Sequence, residues 1–291
     1  MAPRIVRTVD ELRSVASAWR QAGETHALVP TMGALHDGHL ALVRLAREHA
    51  RRVVVSIFVN PAQFGPKEDL ARYPRDEAGD TAKLASVDCD LVWAPDAAAM
   101  YPQGFATRIV PEGAALGLEA DVRPQFFAGV ATVCCKLFAQ AAPKAAVFGE
   151  KDYQQLCVVR QMVRDLNLPL DIIGAPAIRE PDGLAMSSRN RYLTPDERRI
   201  APGLHAQLTA AADSIAAGSR ISIACAKARN ALGQTGFKVD YFTLRDALTL
   251  SPVDTLSGQP LRLLAAASLG QTRLIDNLAV LPPKSASGNR R

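Results

Sequence analysis

Apolar residues along this chain gather in short uninterrupted runs separated by longer amphipathic stretches. That is the pattern of parallel strands covered on both faces and joined by helices. Residues 27–29 (Ala-Leu-Val) and 53–59 (Val-Val-Val-Ser-Ile-Phe-Val) predict two strands, and 40–50 predicts the helix between them, a βαβ unit. A helix over 76–86 leads to a strand at 91–94, stopped by Pro95. The alternation continues with a helix over 129–142, a strand at 145–148, a helix over 153–166 and a strand at 170–173. This repeated order predicts an α/β fold with a Rossmann-like, doubly wound parallel sheet. Between residues 100 and 125, glycines, prolines and mixed polarity predict a long connection with short strands such as 107–110.

Beyond residue 179 the character changes. Thr194-Pro195-Asp196-Glu197 combines an N-cap Thr, a Pro at the first helical position and a Glu at N3, which predicts a helix start and a helical pair after it. Residues 239–244 and 261–267 alternate enough to form a small sheet. The expected organisation is a Rossmann-like domain over 1–179, a smaller C-terminal α+β lid domain over 180–283, with 180–191 as the hinge region, and a basic, Ser/Gly-containing tail over 284–291 that reads as disordered.

A length of 291 residues, 48% of them hydrophobic, suffices for two cores of this kind. No apolar run approaches the roughly 18 residues of a membrane span, and the first ten residues carry Arg4 and Arg7 without the apolar centre of a secretion signal. The expected location is cytoplasmic, with no membrane partner. The five cysteines, Cys89, Cys134, Cys135, Cys157 and Cys225, are scattered and lack Cys-x-x-Cys spacing, so reduced packing thiols are expected rather than disulfides or zinc ligands. A net charge of +5 would suit a nucleic-acid binder, but aromatics are only 5% and no Lys/Arg run alternates with them. Small anions fit that bias better than nucleic acid.

The most specific chemistry lies in residues 30–39, Pro-Thr-Met-Gly-Ala-Leu-His-Asp-Gly-His. Two histidines three residues apart, with Gly33 and Gly38 about them, open the first predicted helix directly after a predicted strand. Free backbone N–H groups and the helix dipole favour an anion there, and glycine lets a phosphate approach the backbone. Each imidazole can donate to a phosphoryl oxygen and, if protonated, neutralise charge. Taken alone, the pair also fits a metal pair, a solvated helix cap or unrelated core histidines. Zinc hydrolases place their histidines four apart with a Glu between, which disfavours that alternative. His26 and His49 have no such setting and read as structural or surface residues.

Further groups fall at or after predicted strand ends. Gly149-Glu150-Lys151-Asp152 puts a Lys where it can meet phosphate and an Asp where it can orient a ribose or a cation. Met186-Ser187-Ser188-Arg189 offers two hydroxyls and a guanidinium suited to β and γ phosphates. Gln63 and Gln155 can orient a hydroxy acid by donating and accepting together. Each group has an ordinary alternative as a solvated charge, a turn or a surface amide; their joint appearance at successive sheet ends points to a site.

At this point the chain resembles the pantothenate synthetase family of ATP-dependent ligases. The resemblance runs from about residue 29 to 277 and is carried by 30–39, by 58–64 (Phe-Val-Asn-Pro-Ala-Gln-Phe), 69–75 (Asp-Leu-Ala-Arg-Tyr-Pro-Arg), 148–155 (Phe-Gly-Glu-Lys-Asp-Tyr-Gln-Gln), 182–190 (Asp-Gly-Leu-Ala-Met-Ser-Ser-Arg-Asn) and 273–277 (Arg-Leu-Ile-Asp-Asn). The histidine motif alone identifies only an HxGH nucleotidyltransferase superfamily. The resemblance implies that Met32, Gly33, Ala34, Leu35, His36, Asp37, Gly38 and His39 line an ATP site, with His39 as proton donor and His36 as its phosphate-binding partner. It implies that Gly149, Glu150, Lys151, Asp152, Ile178 by its backbone, Met186, Ser187, Ser188 and Arg189 also contact ATP, with Lys151 and Arg189 stabilising charge on the phosphates. Gln63 and Gln155 would hold pantoate, Gln63 would also lie near β-alanine, and Asn60 would shape that pocket. A homodimer and Mg2+ accompanying ATP are implied as well, with no protein ligand of the ion assignable.

The run 123–130, Arg-Pro-Gln-Phe-Phe-Ala-Gly-Val, departs from the family pattern: Phe126 stands where a His is usual. Two alternatives therefore accompany the ligase expectation. One is another HxGH nucleotidyltransferase, which leaves the nucleotide on its product. The other is a catalytically impaired, nucleotide-binding regulatory relative.

Overall fold

The computed structural model describes residues 2–65, 69–256 and 258–280, and the chain divides into two compact units, Met1–Ile178 and Arg179–Arg291. The expected tail over 284–291 lies outside the described residues.

In the first unit the elements run β1 (Arg4–Val6), α1 (Val9–Gln21), β2 (His26–Thr31), α2 (Asp37–His49), β3 (Arg52–Ile57), α3 (Glu77–Ala85), β4 (Leu91–Trp93), short α4 (Ala97–Met100) and α5 (Glu119–Val122), α6 (Phe126–Ala141), β5 (Ala145–Gly149), α7 (Tyr153–Asp165) and β6 (Asp171–Ala175). The six strands form one parallel sheet in the order β1-β4-β3-β2-β5-β6. β2 pairs with β3 from His26↔Arg52 to Thr31↔Ile57, and with β5 through Ala27↔Ala145 and Leu28↔Ala146. The chain winds outward from β2 through β3 and β4 on one side and through β5 and β6 on the other. The switch point lies between β2 and β5, and the crevice beyond the carboxyl ends there is where open α/β sheets bind ligands.

The interiors of β2, β3, β4 and β5 are buried because their residues are mostly apolar on both faces. Ala27, Val29, Val53, Val55, Val92 and Val147 pack with Leu40, Val43 and Ala46 of α2 in one cluster. These strands and helices agree with the sequence-derived order, with ends differing by a few residues. That order does not include the first strand and helix: β1 is only three residues long, and α1 is announced by a capping box in which Thr8 Oγ1 accepts from Glu11 N–H and Glu11 accepts from Thr8 N–H.

One expectation fails. Residues 107–110 form no strand; the Ile109 N–H donates to Thr132 Oγ1 at 3.0 Å instead of to a ladder, and Val110 is 73% exposed. With no neighbouring strand to pair with, β-branched residues alone do not hold an extended segment.

The second unit contains α8 (Pro195–Ile200), α9 (Gly203–Ala216), α10 (Ile221–Gln234) and the antiparallel strands β7 (Lys238–Asp246), β8 (Leu261–Leu269) and β9 (Thr272–Val280), ordered β7-β8-β9. The predicted cap of α8 forms, Thr194 Oγ1 accepting from Glu197 N–H and Glu197 accepting from Thr194 N–H. β9 joins the two expected strands through a tight turn at Gly270, whose φ of +55° suits a residue without Cβ. Leu204, Leu208 and Ile215 of α9 and Leu232 of α10 pack with Phe242, Leu263 and Ala265 from the sheet as a separate core.

Candidate active site

The loop after β2 delivers both histidines to the start of α2. His36 is the N-cap, extended at φ −138° and ψ 175°. Its Nδ1 accepts from Gly38 N–H at 3.2 Å, while His39 Nδ1 accepts from His36 N–H at 3.3 Å. The rings lie with centroids 4.2 Å apart. Because each Nδ1 accepts a backbone proton, the hydrogen-bond pattern assigns the remaining proton of each neutral ring to Nε2. Both Nε2–H groups are thereby ready to donate to an oxygen at the positive end of the helix dipole.

These rings are held neutral. Burial and then the Lys151 charge push His36 down from 6.5 to about 4. His39 is pushed down to about 3, by burial first and then by His36, Lys151 and Lys83. In the free protein, fixed positive charge therefore comes from Lys151 and Lys83, and the histidines contribute oriented dipoles. Each imidazole has a folded-state value below its unfolded one, so the unfolded chain binds more protons as the pH falls below about 6.5. The stability associated with the neutral pair is complete above that pH and is lost on acidification toward about 4 and then 3. Ring-nitrogen NMR of the ligand-free protein is expected to show both imidazoles neutral, with Nε2 protonated, from pH 8 down to about 5. A titration of either ring centred near 6.5 would contradict this.

Lys151 lies in a single turn, Glu150–Asp152, between β5 and α7, on the other side of the switch point. Its side chain is largely covered, and Nζ lies 3.7 Å from Asp152 Oδ1. Within this unit the Lys151 charge acts on both the His36 and His39 imidazoles and depresses them.

A second polar cluster follows β3, where Asn60 caps the turn Pro61–Gln63 and is 1% exposed. Its Nδ2 donates to Gln63 Oε1 at 2.8 Å and to Gly129 O of α6 at 3.1 Å, while its Oδ1 accepts from Tyr101 Oη at 2.7 Å. Asn60 is thus committed to the protein and fixes how Gln63 lies. Gln154 and Gln155 are adjacent on α7, yet helix phase separates them. Gln154 is buried, donating to Ala114 O and Gly117 O at 3.1 Å and accepting from Glu119 N–H at 3.0 Å, whereas Gln155 is half-buried. Ile178, the last residue of the first unit, is partly exposed.

Phe126 stacks beneath Arg123, whose guanidinium carbon sits 3.8 Å from the ring centroid, and Arg123 donates to Gln63 O at 3.0 Å. The ring also meets Phe127 edge-on at 5.0 Å. Where the sequence departs from the family pattern, an aromatic platform supports the arginine that holds the Gln63 backbone.

Met186, Ser187, Ser188 and Arg189 belong to the second unit and are all half-buried. Ser187 caps the turn Ser188–Tyr192, its Oγ accepting from Arg189 N–H at 3.2 Å, and Asn190 donates to Ala185 O at 3.1 Å. The segment leading to it is pinned to β9 by Arg179, which forks onto Asp276 at 2.7 and 3.0 Å and donates to Gly183 O at 3.1 Å. Sequence reasoning assigns no role to Asp276, nor to the contacts that α3 and Gly129 make with the site, because all of these join residues far apart in the chain.

The Pantoate-beta-alanine ligase family model matches residues 4–279. A protein named pantothenate synthetase 2 from Bradyrhizobium diazoefficiens is 57% identical over 280 residues, covering 96% of this chain and 99% of that protein. The pantothenate synthetase of Paramagnetospirillum magneticum is 55% identical over 282 residues, covering 97% and 99%. Among solved structures, pantothenate synthetase from Thermus thermophilus superimposes with a TM-score of 0.90 at 48% identity, covering 96% of this chain and all of that one. A Francisella tularensis pantoate-beta-alanine ligase complexed with β,γ-ATP and β-alanine gives 0.80 at 34% identity, covering 96% and 98%.

Proposed function

This chain belongs to the pantoate-beta-alanine ligase family, and from that premise we propose how its own residues carry the ligation of pantoate to β-alanine driven by ATP. In the first step a pantoate carboxylate oxygen attacks the α-phosphorus of ATP; the bond from that phosphorus to the bridging oxygen breaks, and pyrophosphate leaves with its electron pair. Pantoyl adenylate remains. In the second step the neutral amine of β-alanine attacks the acyl carbon, the carbon–oxygen bond to AMP breaks, and the amine loses a proton as pantothenate forms.

The observation that carries this reading is the cap formed by two neutral histidines, His36 and His39, beside the Lys151 ammonium at the start of α2. Negative charge moves from the carboxylate toward the pyrophosphate during activation, and donors already aimed at that charge stabilise it without having to reorganise. The Nε2–H groups supply directional hydrogen bonds, His39 donating one to a phosphate oxygen without transferring its proton, and Lys151 supplies charge. Gly33 and Gly38 leave the backbone open to the phosphates, and Met32, Ala34, Leu35 and Asp37 complete that wall. Gly149, Glu150, Asp152 and the Ile178 backbone are assigned to the nucleotide, and so are Met186, Ser187, Ser188 and Arg189. Gln63, its Oε1 fixed by Asn60, keeps Nε2 to donate to pantoate, and Gln155 is its proposed partner there.

Mg2+ is proposed to enter bound to the triphosphate. Among the described residues no group of three or more His, Cys, Asp or Glu could cage an ion, which suits a cation that keeps its waters and its phosphate ligands. It would supply charge neutralisation on the phosphates when bound. A homodimer and a cytoplasmic location belong to the same proposal, the first supported by exposed apolar side chains at Val110, Leu116 and Val122. No helix among the described residues is long and apolar enough to cross a membrane.

The direct test is mass spectrometry of the protein incubated with Mg·ATP, pantoate and β-alanine. Pantothenate and AMP are expected in equal amounts. A nucleotide retained on the product, or no product, would overturn the ligase reading.

A further inference from the structure

Asp80 of α3 is only 1% exposed, and its carboxylate accepts from backbone groups 45 and 46 residues away. Its Oδ2 accepts from Ala34 N–H and its Oδ1 from Leu35 N–H, both at 2.8 Å. One helical turn later, Lys83 donates from Nζ to Leu35 O at 2.7 Å and lies 3.9 Å from Asp80 Oδ1. The side chains sit three apart on one helix face and grip one loop from one side.

That loop is not in a relaxed conformation. Ala34 has a φ of +53°, a region L-residues rarely enter, and Gly33 before it has a φ of +83°. A Cβ on Gly33 would lie 3.1 Å from Asp80 Oδ2 and 3.2 Å from Ile57 Cγ2, so a side chain at 33 would crowd the carboxylate. The peptide between Gly33 and Ala34 is held at its N–H, as is the next. The third is held at the Leu35 carbonyl by Lys83 and at the His36 N–H by His39 Nδ1.

We infer that Asp80 and Lys83 act as a clamp that sets the nucleotide site, fixing three successive peptide planes so that the His36 and His39 rings present Nε2–H to phosphate. Neither residue need touch ATP. They are positioning residues, and the assignment rests on reading the histidine cap as the triphosphate site. A merely structural Asp80 would stabilise the whole unit; a clamp controls phosphate binding more than pantoate binding.

Calorimetry with a non-hydrolysable ATP analogue and, separately, with pantoate separates the two. Asp80→Asn sets an amide NH2 against a backbone N–H, and losing one buried charge-assisted acceptor is expected to raise the ATP-analogue Kd roughly 10- to 100-fold. The pantoate Kd should stay within about twofold. Adding Ala34→Gly, which removes the conformational strain the clamp restrains, should recover part of the loss. Amide exchange gives a ligand-free readout: Ala34 and Leu35 should exchange faster in Asp80→Asn while β2 stays protected. Unchanged exchange at both amides, or equal weakening of both ligands without rescue, overturns the clamp. Faster exchange in the variant alongside a wild-type protein that binds no ATP analogue would instead overturn the functional reading. Should Asp80→Asn not fold, Lys83→Met, at a half-exposed position, takes over: a several-fold rise in the ATP-analogue Kd alone supports the clamp, and no change overturns it.

Discussion

Replacing His39 or Lys151 by alanine is expected to slow pantoyl-adenylate formation by roughly 100- to 1,000-fold, the loss found when one preorganised donor is removed from a developing oxyanion. The two substitutions act differently. Lys151→Ala removes the ammonium and, with it, one of the charges that depress both imidazoles, so the His36 and His39 values should rise toward 6.5 in the variant. His39→Ala removes the Nε2–H donor and also the Nδ1 that accepts from His36 N–H at 3.3 Å, so the N-cap loses part of its support. Circular dichroism should show the fold intact in both, because neither side chain belongs to the apolar clusters of the sheet. Single-turnover rates near wild type in either folded variant would refute the role assigned to that residue.

Gly129→Ala should have the second large effect, through packing. An added Cβ there would fall 2.2 Å from Ala62 O, 2.6 Å from Ala62 C and 3.0 Å from Gln63 N, all of them backbone atoms. No rotamer change can relieve that contact, so either α6 or the turn Pro61–Gln63 must move. The Gly129 carbonyl also accepts from Asn60, which orients Gln63. Overpacking of this kind costs about 2–3 kcal/mol, or roughly 5–10 °C in Tm for a unit of this size. Pantoate affinity should fall more than about tenfold, on the reasoning that a shift of about 1.4 kcal/mol in Gln63 placement already gives that factor. A variant with wild-type Tm and wild-type pantoate binding would contradict the proposed coupling between α6 and the pantoate groups.

What was legible in the sequence follows from how far apart the interacting residues are. β2, β3 and β5 announced themselves because a parallel strand buried on both faces has few polar positions to confuse its signal. α8 announced itself through its cap at Thr194, and α3 through the helical pattern over 76–86, whose Asp76 cap the structure supplies. β1 gave too short a signal, with only Val6 fully buried. The segment 107–110 gave a false one, since strand formation depends on a partner that local sequence does not name. Among the proposed site residues, the histidines, Lys151 and Gln63 were visible because their motifs fall at or after strand ends, and Asn60 only through the family resemblance.

Asp80, Lys83 and Gly129 were not visible, because each acts on backbone or side-chain atoms some 45 to 70 residues away and leaves no periodic trace. The difference between Gln154 and Gln155 was hidden for another reason: identical side chains at adjacent positions are separated only by the phase of α7. The neutral state of the histidines likewise depends on burial and on Lys151, both products of the tertiary fold.

The central claim is that the histidine cap and Lys151 activate pantoate before any amine is needed. It is tested most directly by quenching a single turnover of the protein with Mg·ATP and pantoate, without β-alanine, and analysing it by mass spectrometry. Enzyme-bound pantoyl adenylate and an equal amount of pyrophosphate are expected, with pantothenate and AMP appearing once β-alanine is added. AMP formed only when all three substrates are present, with no adenylate at any time, would contradict it.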